Sequence, residues 1–349
     1  MREMPAMRVI GACVVIAACA FVLTACGDDS ASGADAAAGG GASGTHDTGD
    51  AGGAGAAAAD APKPDAKFIP QPTSSCPSFA KGEGCEDDGT SLVCTFEPKG
   101  VPPRKVRVWL DDGARKGGGA LVFFWHGLTR TASDAILPNA GLGPDVKDSI
   151  LASGGVLVSP EQEEGRDTSF AKLPWISAAA AGYAEGDNKD DDFLVMDEVA
   201  ACAIEKLDID VRRIHSTGIS AGGLQTGQVI ARRSGYVASA VVFSGGLGGG
   251  PMIQDPSNKL PVMIFWGGAN DMVVINFQQT SLDLRKRLDA NGQFSIMCNH
   301  GMGHLVPVDG AVAGWHFMQD HPYGTTPEPY AKKLPDFLPS YCSLDVPSL

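Results

Sequence analysis

The 349-residue sequence has no excess of positive charge, no Cys-x-x-Cys pair and no repeat of solenoid length. Its formal net charge of −14 argues against nucleic acid as a partner, because such binding needs lysine and arginine against phosphates. Without a Cys-x-x-Cys pair, a zinc site or a thioredoxin-like motif is disfavoured. What remains is an acidic chain with 44% hydrophobic residues, enough to build a sizeable core.

The first 26 residues are typical of an export signal. Arg2 and Arg8 form a basic segment before an apolar run over residues 9–25, which ends in Leu-Thr-Ala before Cys26. That string resembles the bacterial lipoprotein box, which implies cleavage before Cys26 and lipidation of its thiol. A plain transmembrane anchor is the alternative, but a run of about 17 residues is short for a span. We expect an exported lipoprotein anchored to a membrane of a bacterial cell envelope or surface.

Composition divides the remainder into a tether and a domain. Residues 27–65 are almost entirely Gly, Ala, Ser, Asp and Thr, which cannot bury apolar surface, so a disordered tether is expected. Residues 66–349 are globular in composition and contain no second linker, with a cysteine-rich extension at 66–100. Six cysteines in an oxidising compartment predict three disulfides. Two of the pairings expected are Cys298–Cys342 and one local bridge among Cys76, Cys85 and Cys94.

In this domain, apolar β-rich runs alternate with helical patterns. The alternation predicts an α/β fold with a mostly parallel central sheet and helices on both faces. Such sheets bind ligands beyond the carboxyl ends of their strands. The predicted strands are Val106–Leu110, Ala120–Trp125, Gly155–Ser159, Arg213–Thr217, Ala238–Phe243, Val262–Trp266 and Phe294–Cys298, and the predicted helices are Phe193–Leu207, Ala221–Arg233 and Phe277–Ala290.

Ser220 lies in the pattern Gly-Ile-Ser-Ala-Gly, between a predicted strand and a predicted helix. A Gly-x-Ser-x-Gly pattern in this context indicates a nucleophile elbow, because the glycines permit a turn that holds the serine hydroxyl at a helix N-terminus. A strand–helix loop with an incidental serine is the alternative. An earlier strand ends in Trp-His-Gly-Leu, and we assign oxyanion donors to the backbone N–H groups of Leu128 and Ala221. His126 itself is expected to be structural.

Two further strand ends carry an acid and a base. Asp271 follows a strand and a glycine turn, where it would orient an imidazole, although an Asx turn or helix cap is an alternative. His304 is the predicted base and His300 its competitor, because histidine exchanges protons near neutral pH. The two also form a His-x-x-x-His pair, but Gly301 and Gly303 argue against the helix that a metal site would need. Four motifs at strand ends, in the order Ser, Asp, His, favour a catalytic triad.

These motifs together resemble the secreted polyhydroxybutyrate depolymerase-like and feruloyl or acetylxylan esterase-like members of the alpha/beta-hydrolases. The resemblance covers about residues 119–304 and departs at the acid turn, which reads Trp-Gly-Gly-Ala-Asn-Asp, and at residues 66–100. It implies an alpha/beta-hydrolase fold and a carboxylic ester hydrolase without metal or cofactor. The matching segments are Trp125-His126-Gly127, Ser159-Pro160-Glu161-Gln162 with Trp175, Asp192-Phe193, Gly218-Ile219-Ser220-Ala221-Gly222-Gly223 and Gly301-Met302-Gly303-His304.

The expected partner is therefore an ester, acted on through an acyl-enzyme. Short-chain, aromatic or polymer-borne esters are expected, the last being polyhydroxyalkanoate or a feruloyl or acetyl glycan. Trp175, in the largely polar segment 161–192, is predicted to bind substrate at the pocket mouth. The other expected partner is the membrane, through lipidated Cys26. The sequence indicates neither a nucleic acid nor a protein partner. A serine peptidase of the same fold and an inactive surface binding protein are the competing interpretations.

The anchor gives a first testable prediction. Cys26→Ser should release the protein from the membrane fraction or block its processing, because a multiply acylated cysteine anchors firmly. The substitution should not change catalysis, and a soluble chain that begins near residue 66 should hydrolyse esters as fast as the anchored protein. Unchanged membrane retention of the serine variant on fractionation would rule out this anchor.

Overall fold

A computed structural model describes residues 62–163, 173–175, 190–246, 254–273 and 275–345. The predicted signal peptide, and the predicted tether up to residue 61, lie outside the described residues. The described strands are β1 (Cys85–Asp87), β2 (Leu92–Phe96), β3 (Arg104–Trp109), β4 (Leu121–Trp125), β5 (Val156–Pro160), β6 (Ile214–Ile219), β7 (Ser239–Phe243), β8 (Val262–Trp266), β9 (Ser295–Asn299) and β10 (Cys342–Ser343). The described α-helices are α1 (Pro144–Ala152), α2 (Asp191–Leu207), α3 (Ala221–Arg232), α4 (Phe277–Ala290) and α5 (Val308–Asp320).

The strands form one mixed sheet in the order β1-β2-β3-β5-β4-β6-β7-β8-β9-β10. From β5 through β4 to β9 every neighbouring pair is parallel, and the pairs at both ends of the sheet are antiparallel. Strands β4, β5, β7 and β8 are buried along their whole length. Continuous apolar strands of this kind are expected where both faces of a parallel sheet are covered.

Two hydrophobic clusters cover the two faces of the sheet. One cluster joins the sheet to α2, α3 and α4 through side chains such as Phe193, Leu224 and Leu284. The other joins it to α1 and α5 through side chains such as Ile150 and Trp315. The expected architecture, a mostly parallel sheet with helices on both faces, is confirmed.

The sequence patterns located the central elements but not the outer ones. All seven predicted strands and all three predicted helices are present, with ends within two residues of those expected. The outer strands β1, β2 and β10 and the helices α1 and α5 were not predicted. The two-residue β10 and three-residue β1 are too short to show an apolar alternation.

The cysteine-rich extension forms the first edge of the sheet and is fastened to α2. Cys85–Cys94 joins β1 to β2, and Cys76–Cys202 links the extension to α2. Beside that second disulfide, Glu198 of α2 is buried and accepts four hydrogen bonds, from the backbone N–H and hydroxyl groups of Thr73 and Ser74, at 2.6–2.9 Å. The extension is thus part of the folded domain.

The third disulfide, Cys298–Cys342, joins β9 to β10. Both specific pairing expectations, this bridge and a local one in the extension, are confirmed. Three disulfides indicate a protein that folds in an oxidising, extracytoplasmic environment. In the described ranges we find no helix with the length and hydropathy of a membrane span.

The four hydrogen bonds from Thr73 and Ser74 to Glu198, here called the Glu198 clamp, predict a stability that depends on pH. Burial opposes the charge of Glu198, but the hydrogen bonds from Thr73 and Ser74 outweigh it and hold its pKa below the ordinary value of 4.5. A carboxylate with a lowered pKa stabilises the fold above its ordinary pKa, and this contribution is lost as the pH falls through the lowered value. Glu198→Gln should therefore cost about 2–3 kcal/mol in the free energy of unfolding at pH 7.

The measurement is urea unfolding of both proteins between pH 7 and pH 3. Glu205→Gln is the matched control on the same helix, because the side chain of Glu205 is 49% exposed and pairs only with neighbouring Lys206 in the described contacts. The control should change stability by less than about 0.5 kcal/mol. A Glu198 variant as stable as the control, or a deficit that does not shrink toward pH 3, would contradict the clamp.

Candidate active site

Ser220 stands between β6 and α3 in a strained backbone conformation. Its φ is 60° and its ψ is −122°, values that a residue with a side chain rarely adopts. Such strain persists only where the surroundings enforce it, and it is concentrated at functional sites. The strand, strained turn and helix have the backbone geometry of a nucleophile elbow.

Two glycines allow this elbow to pack against its neighbours. A Cβ on Gly218 would lie 2.6 Å from the carbonyl oxygen of Gly222, across the turn. A Cβ on Gly222 would lie 1.8 Å from the carbonyl oxygen of Trp125, the last residue of β4. No side chain fits at either position. The start of α3 is thus in direct backbone contact with the end of β4.

Asp271 and His304 form a hydrogen-bonded pair at the same edge of the sheet. Asp271, fully buried after β8, accepts a hydrogen bond from His304 Nδ1 at 2.7 Å. Its other carboxylate oxygen accepts from Ser244 Oγ and from the backbone N–H of Gly267, both at 2.8 Å. Because a carboxylate can only accept here, the imidazole proton is on Nδ1. The Nε2 atom is then the basic nitrogen.

Packing distinguishes the two candidate histidines. The ring of Phe277 covers one face of His304, with ring centroids 4.6 Å apart. The ring of His300 instead packs edge-on against Tyr341, and its Nδ1 accepts a hydrogen bond from the backbone of Met302 at 3.3 Å. Burial lowers the pKa of His300. The described contacts thus join His304, and not His300, to Asp271.

The predicted oxyanion donors lie on either side of Ser220. Ala221 is the first residue of α3, where an N–H group has no partner within the helix. Leu128 follows Gly127, whose Cα lies so close to the serine that an added Cβ would be 3.2 Å from Ser220 Cβ. Among the described contacts, neither the Leu128 nor the Ala221 N–H donates to a protein acceptor.

The hydrogen bond between serine and histidine that a catalytic triad would contain is not formed among the described residues. In the described part of the chain, Ser220 Oγ makes no hydrogen bond to His304 Nε2, although both residues stand at the carboxyl edge of the sheet. Such contacts are often long in a free enzyme and shorten when substrate binds. The Asp271–His304 hydrogen bond is thus formed in this structure without a hydrogen bond to Ser220.

The expected position of Trp175 at the pocket mouth is wrong. Trp175 is fully buried, and its indole N–H donates to the backbone carbonyl of His126 at 2.9 Å. Its ring packs against Trp125 and His126, with centroids 5.0 and 4.7 Å away. An indole gains more from this dry, hydrogen-bonded place than from an exposed rim. Residues 164–172 and 176–189 of the largely polar segment 161–192 lie outside the described residues.

Two residues of the site were not anticipated from the sequence. Ser244, immediately after β7, holds Asp271, and Phe277, the first residue of α4, packs on His304. Ser244 carried a signal, because it is a polar residue at a strand end followed by Gly245 and Gly246. Phe277 carried none, because an aromatic residue at a helix start is equally typical of the core.

A separate cavity of about 640 Å³ lies at the opposite, amino edge of the sheet. Pro62, Asp255 and Tyr323 are among the residues that line it, and no histidine is among the described lining residues. Tyr323 donates a hydrogen bond to Asp255 across this cavity at 3.1 Å. The cavity is distinct from the edge that carries Ser220 and His304.

Comparison with solved structures finds similar folds at low sequence identity. The native structure of pOPH has a TM-score of 0.55 and 17% identity, covering 77% of this chain and 96% of its own. The native structure of sOPH has a TM-score of 0.54 and 18% identity, covering 77% and 96%. A CE1 ferulic acid esterase from Anaeromyces mucronatus, in complex with ferulic acid, has a TM-score of 0.48 and 17% identity, covering 71% and 98%.

No protein-family model and no curated protein matches the sequence. The sheet order, the strained strand–turn–helix at Ser220 and the similarity to pOPH and sOPH define the class of the fold. The chain has an alpha/beta-hydrolase fold.

The hydrogen bond from Ser244 gives a prediction for the acid. Ser244→Ala removes one of three donors to Asp271, and a hydrogen bond to a charged group is worth about 1–2 kcal/mol here, so kcat for an ester should fall about 5- to 30-fold. Ser239→Ala is the control, because Ser239 is equally buried on β7 but its hydroxyl is hydrogen-bonded to His215 at the amino end. It should lower stability and leave kcat unchanged. Equal kcat values in the two variants would show that Ser244 does not support the acid.

Proposed function

We propose that the chain is a serine carboxylic-ester hydrolase that works through an acyl-enzyme. The observation that carries the proposal is the buried Asp271–His304 hydrogen bond of 2.7 Å beside a strained Ser220 in an elbow. A buried carboxylate that fixes the Nδ1 proton of an imidazole prepares Nε2 to accept a proton. Few arrangements outside nucleophilic catalysis need these three residues at one sheet edge.

The first half of the reaction forms an ester on the enzyme. Ser220 Oγ attacks the substrate carbonyl carbon while His304 Nε2 takes the hydroxyl proton. The carbonyl oxygen becomes an oxyanion that accepts hydrogen bonds from the N–H groups of Leu128 and Ala221. Collapse of this intermediate breaks the bond to the alcohol, which leaves with the proton from His304.

The second half releases the acid. Water enters, His304 Nε2 takes one of its protons, and the oxygen attacks the acyl carbon. The second tetrahedral intermediate expels Ser220 Oγ, which regains a proton from His304. Throughout, Asp271 stabilises the imidazolium without taking the proton itself.

Apolar side chains near the acid and base support a substrate with apolar groups. Met272 and Val273 follow Asp271 directly and are 57% and 58% exposed, and Met302 precedes His304 by two residues and is 53% exposed. Exposed apolar side chains grouped in this way mark binding surfaces. The proposal therefore includes short-chain, aromatic or polymer-borne esters as substrates, with neither metal nor cofactor required.

The proposal also includes export and a lipid anchor at Cys26. The apolar run that ends in Leu-Thr-Ala before Cys26 supports the anchor, and the three disulfides support export.

Substitution of the nucleophile and the base tests the proposal. Ser220→Ala should lower the turnover of p-nitrophenyl acetate by about 10⁴-fold or more, since loss of a triad serine has cost about 10⁶ in a protease. His304→Ala should be as damaging, and Asp271→Asn should cripple the enzyme because it disturbs the imidazole tautomer. His300→Ala is the matched control and should keep most of the activity.

The assay should run in parallel on p-nitrophenyl acetate, a feruloyl ester, a hydroxybutyrate ester and an amide. Faster hydrolysis of the amide than of the esters would favour a peptidase. Retention of more than about 1% of the activity by Ser220→Ala would remove that residue as nucleophile. Loss of activity in His300→Ala with survival of His304→Ala would move the base to His300.

A further inference from the structure

The side chain of His126 contacts the backbone of the next residue, in the turn that follows β4. Its Nδ1 lies 2.9 Å from the carbonyl oxygen of Gly127. A carbonyl oxygen can only accept, so Nδ1 carries the proton and donates. The Gly127 carbonyl and the Leu128 N–H are the two ends of one planar peptide unit. A bond that fixes the carbonyl end therefore fixes the direction of the N–H end.

The surroundings of His126 leave it one protonation state. The residue is fully buried, and burial lowers its pKa. The ring is therefore neutral, with its only proton on Nδ1. Its Nε2 is buried and has no hydrogen-bond partner among the described residues.

Trp175 fixes His126 from the other side. The indole N–H donates to the carbonyl oxygen of His126 at 2.9 Å, and the two rings pack with centroids 4.7 Å apart. The carbonyls of both His126 and Gly127 are thus bound by aromatic side chains in the core. Two successive peptide units of the turn are held, next to the point where Gly127 meets Ser220.

We propose that His126 is a positioning residue that holds the Gly127–Leu128 peptide unit so that the Leu128 N–H points at the oxyanion formed on Ser220. This inference rests on the proposed esterase function. Hydrogen bonding at the carbonyl also polarises the peptide unit and strengthens its N–H as a donor. Donors fixed before the reaction stabilise the developing charge without the cost of reorganisation. His126 thereby acts on the transition state without contacting the substrate.

Two amide variants separate positioning from general structural support. In His126→Asn the amide nitrogen can occupy the place of Nδ1 and donate to the Gly127 carbonyl. In His126→Gln the amide reaches the place of Nε2, where there is no described partner. The glutamine variant should lower kcat for p-nitrophenyl acetate about 10- to 100-fold with KM changed less than about threefold, since loss of a whole oxyanion donor costs about 10²–10³. The asparagine variant should stay within about fivefold of wild type.

Inhibition by phenylboronic acid gives a second readout, because its tetrahedral adduct with the serine places a charged oxygen near the oxyanion donors. The inhibition constant should rise in the glutamine variant by about the factor that kcat falls. It should remain near the wild-type value in the asparagine variant. Melting temperatures, measured alongside, should not order the variants in the same way as kcat.

Equal losses of kcat in the two variants, or losses that follow melting temperature alone, would overturn the inference while the esterase stands. Should His126→Gln not fold, the asparagine variant decides: near-wild-type kcat supports the inference, and a folded protein slower by more than about 100-fold overturns it. A wild-type chain without ester hydrolysis, or a fully active Ser220→Ala, would overturn the proposed function and this inference with it.

Discussion

The site depends on one close approach of backbone to backbone, between the start of α3 and the end of β4. Gly222 lies so near the Trp125 carbonyl that a methyl group would overlap it, at 1.8 Å. This contact brings the Ser220 turn beside the His126-Gly127-Leu128 turn, so that Gly127 lies against the strained serine. Parallel pairing of β6 to β9 then carries Asp271 and His304 to the same edge. The arrangement of the site therefore requires glycine at positions 218 and 222.

Hydrogen bonds from core residues keep the proposed catalytic groups in place. Asp271 is held by Ser244 and by the Gly267 amide, and its charge in turn orients His304. The Gly127–Leu128 peptide unit is held by His126. His304 and Leu128, which would contact the reacting groups, each lie in a loop that follows a strand. Each is supported by a buried neighbour, Asp271 or His126. Rigid support of this kind is what electrostatic preorganisation requires.

The central fold could be predicted, and the candidate site residues could be proposed, because both have local signals. Buried parallel strands are continuous apolar runs, and an elbow needs glycines at fixed offsets from its serine. Trp175 could not be placed, because its partner, the carbonyl of His126, is 49 residues away in sequence. The extension at 66–100 could not be placed for the same reason. Its attachment to Glu198 and Cys202 spans more than 120 residues, a separation that no local pattern encodes.

The proposed mechanism depends on acylation of Ser220. The most direct measurement is covalent labelling with a fluorophosphonate, followed by intact mass and peptide mapping. We predict one label per chain, on the peptide that contains Ser220, and none in Ser220→Ala. A label on another residue, or continued ester turnover by a chain whose Ser220 is fully labelled, would contradict the account.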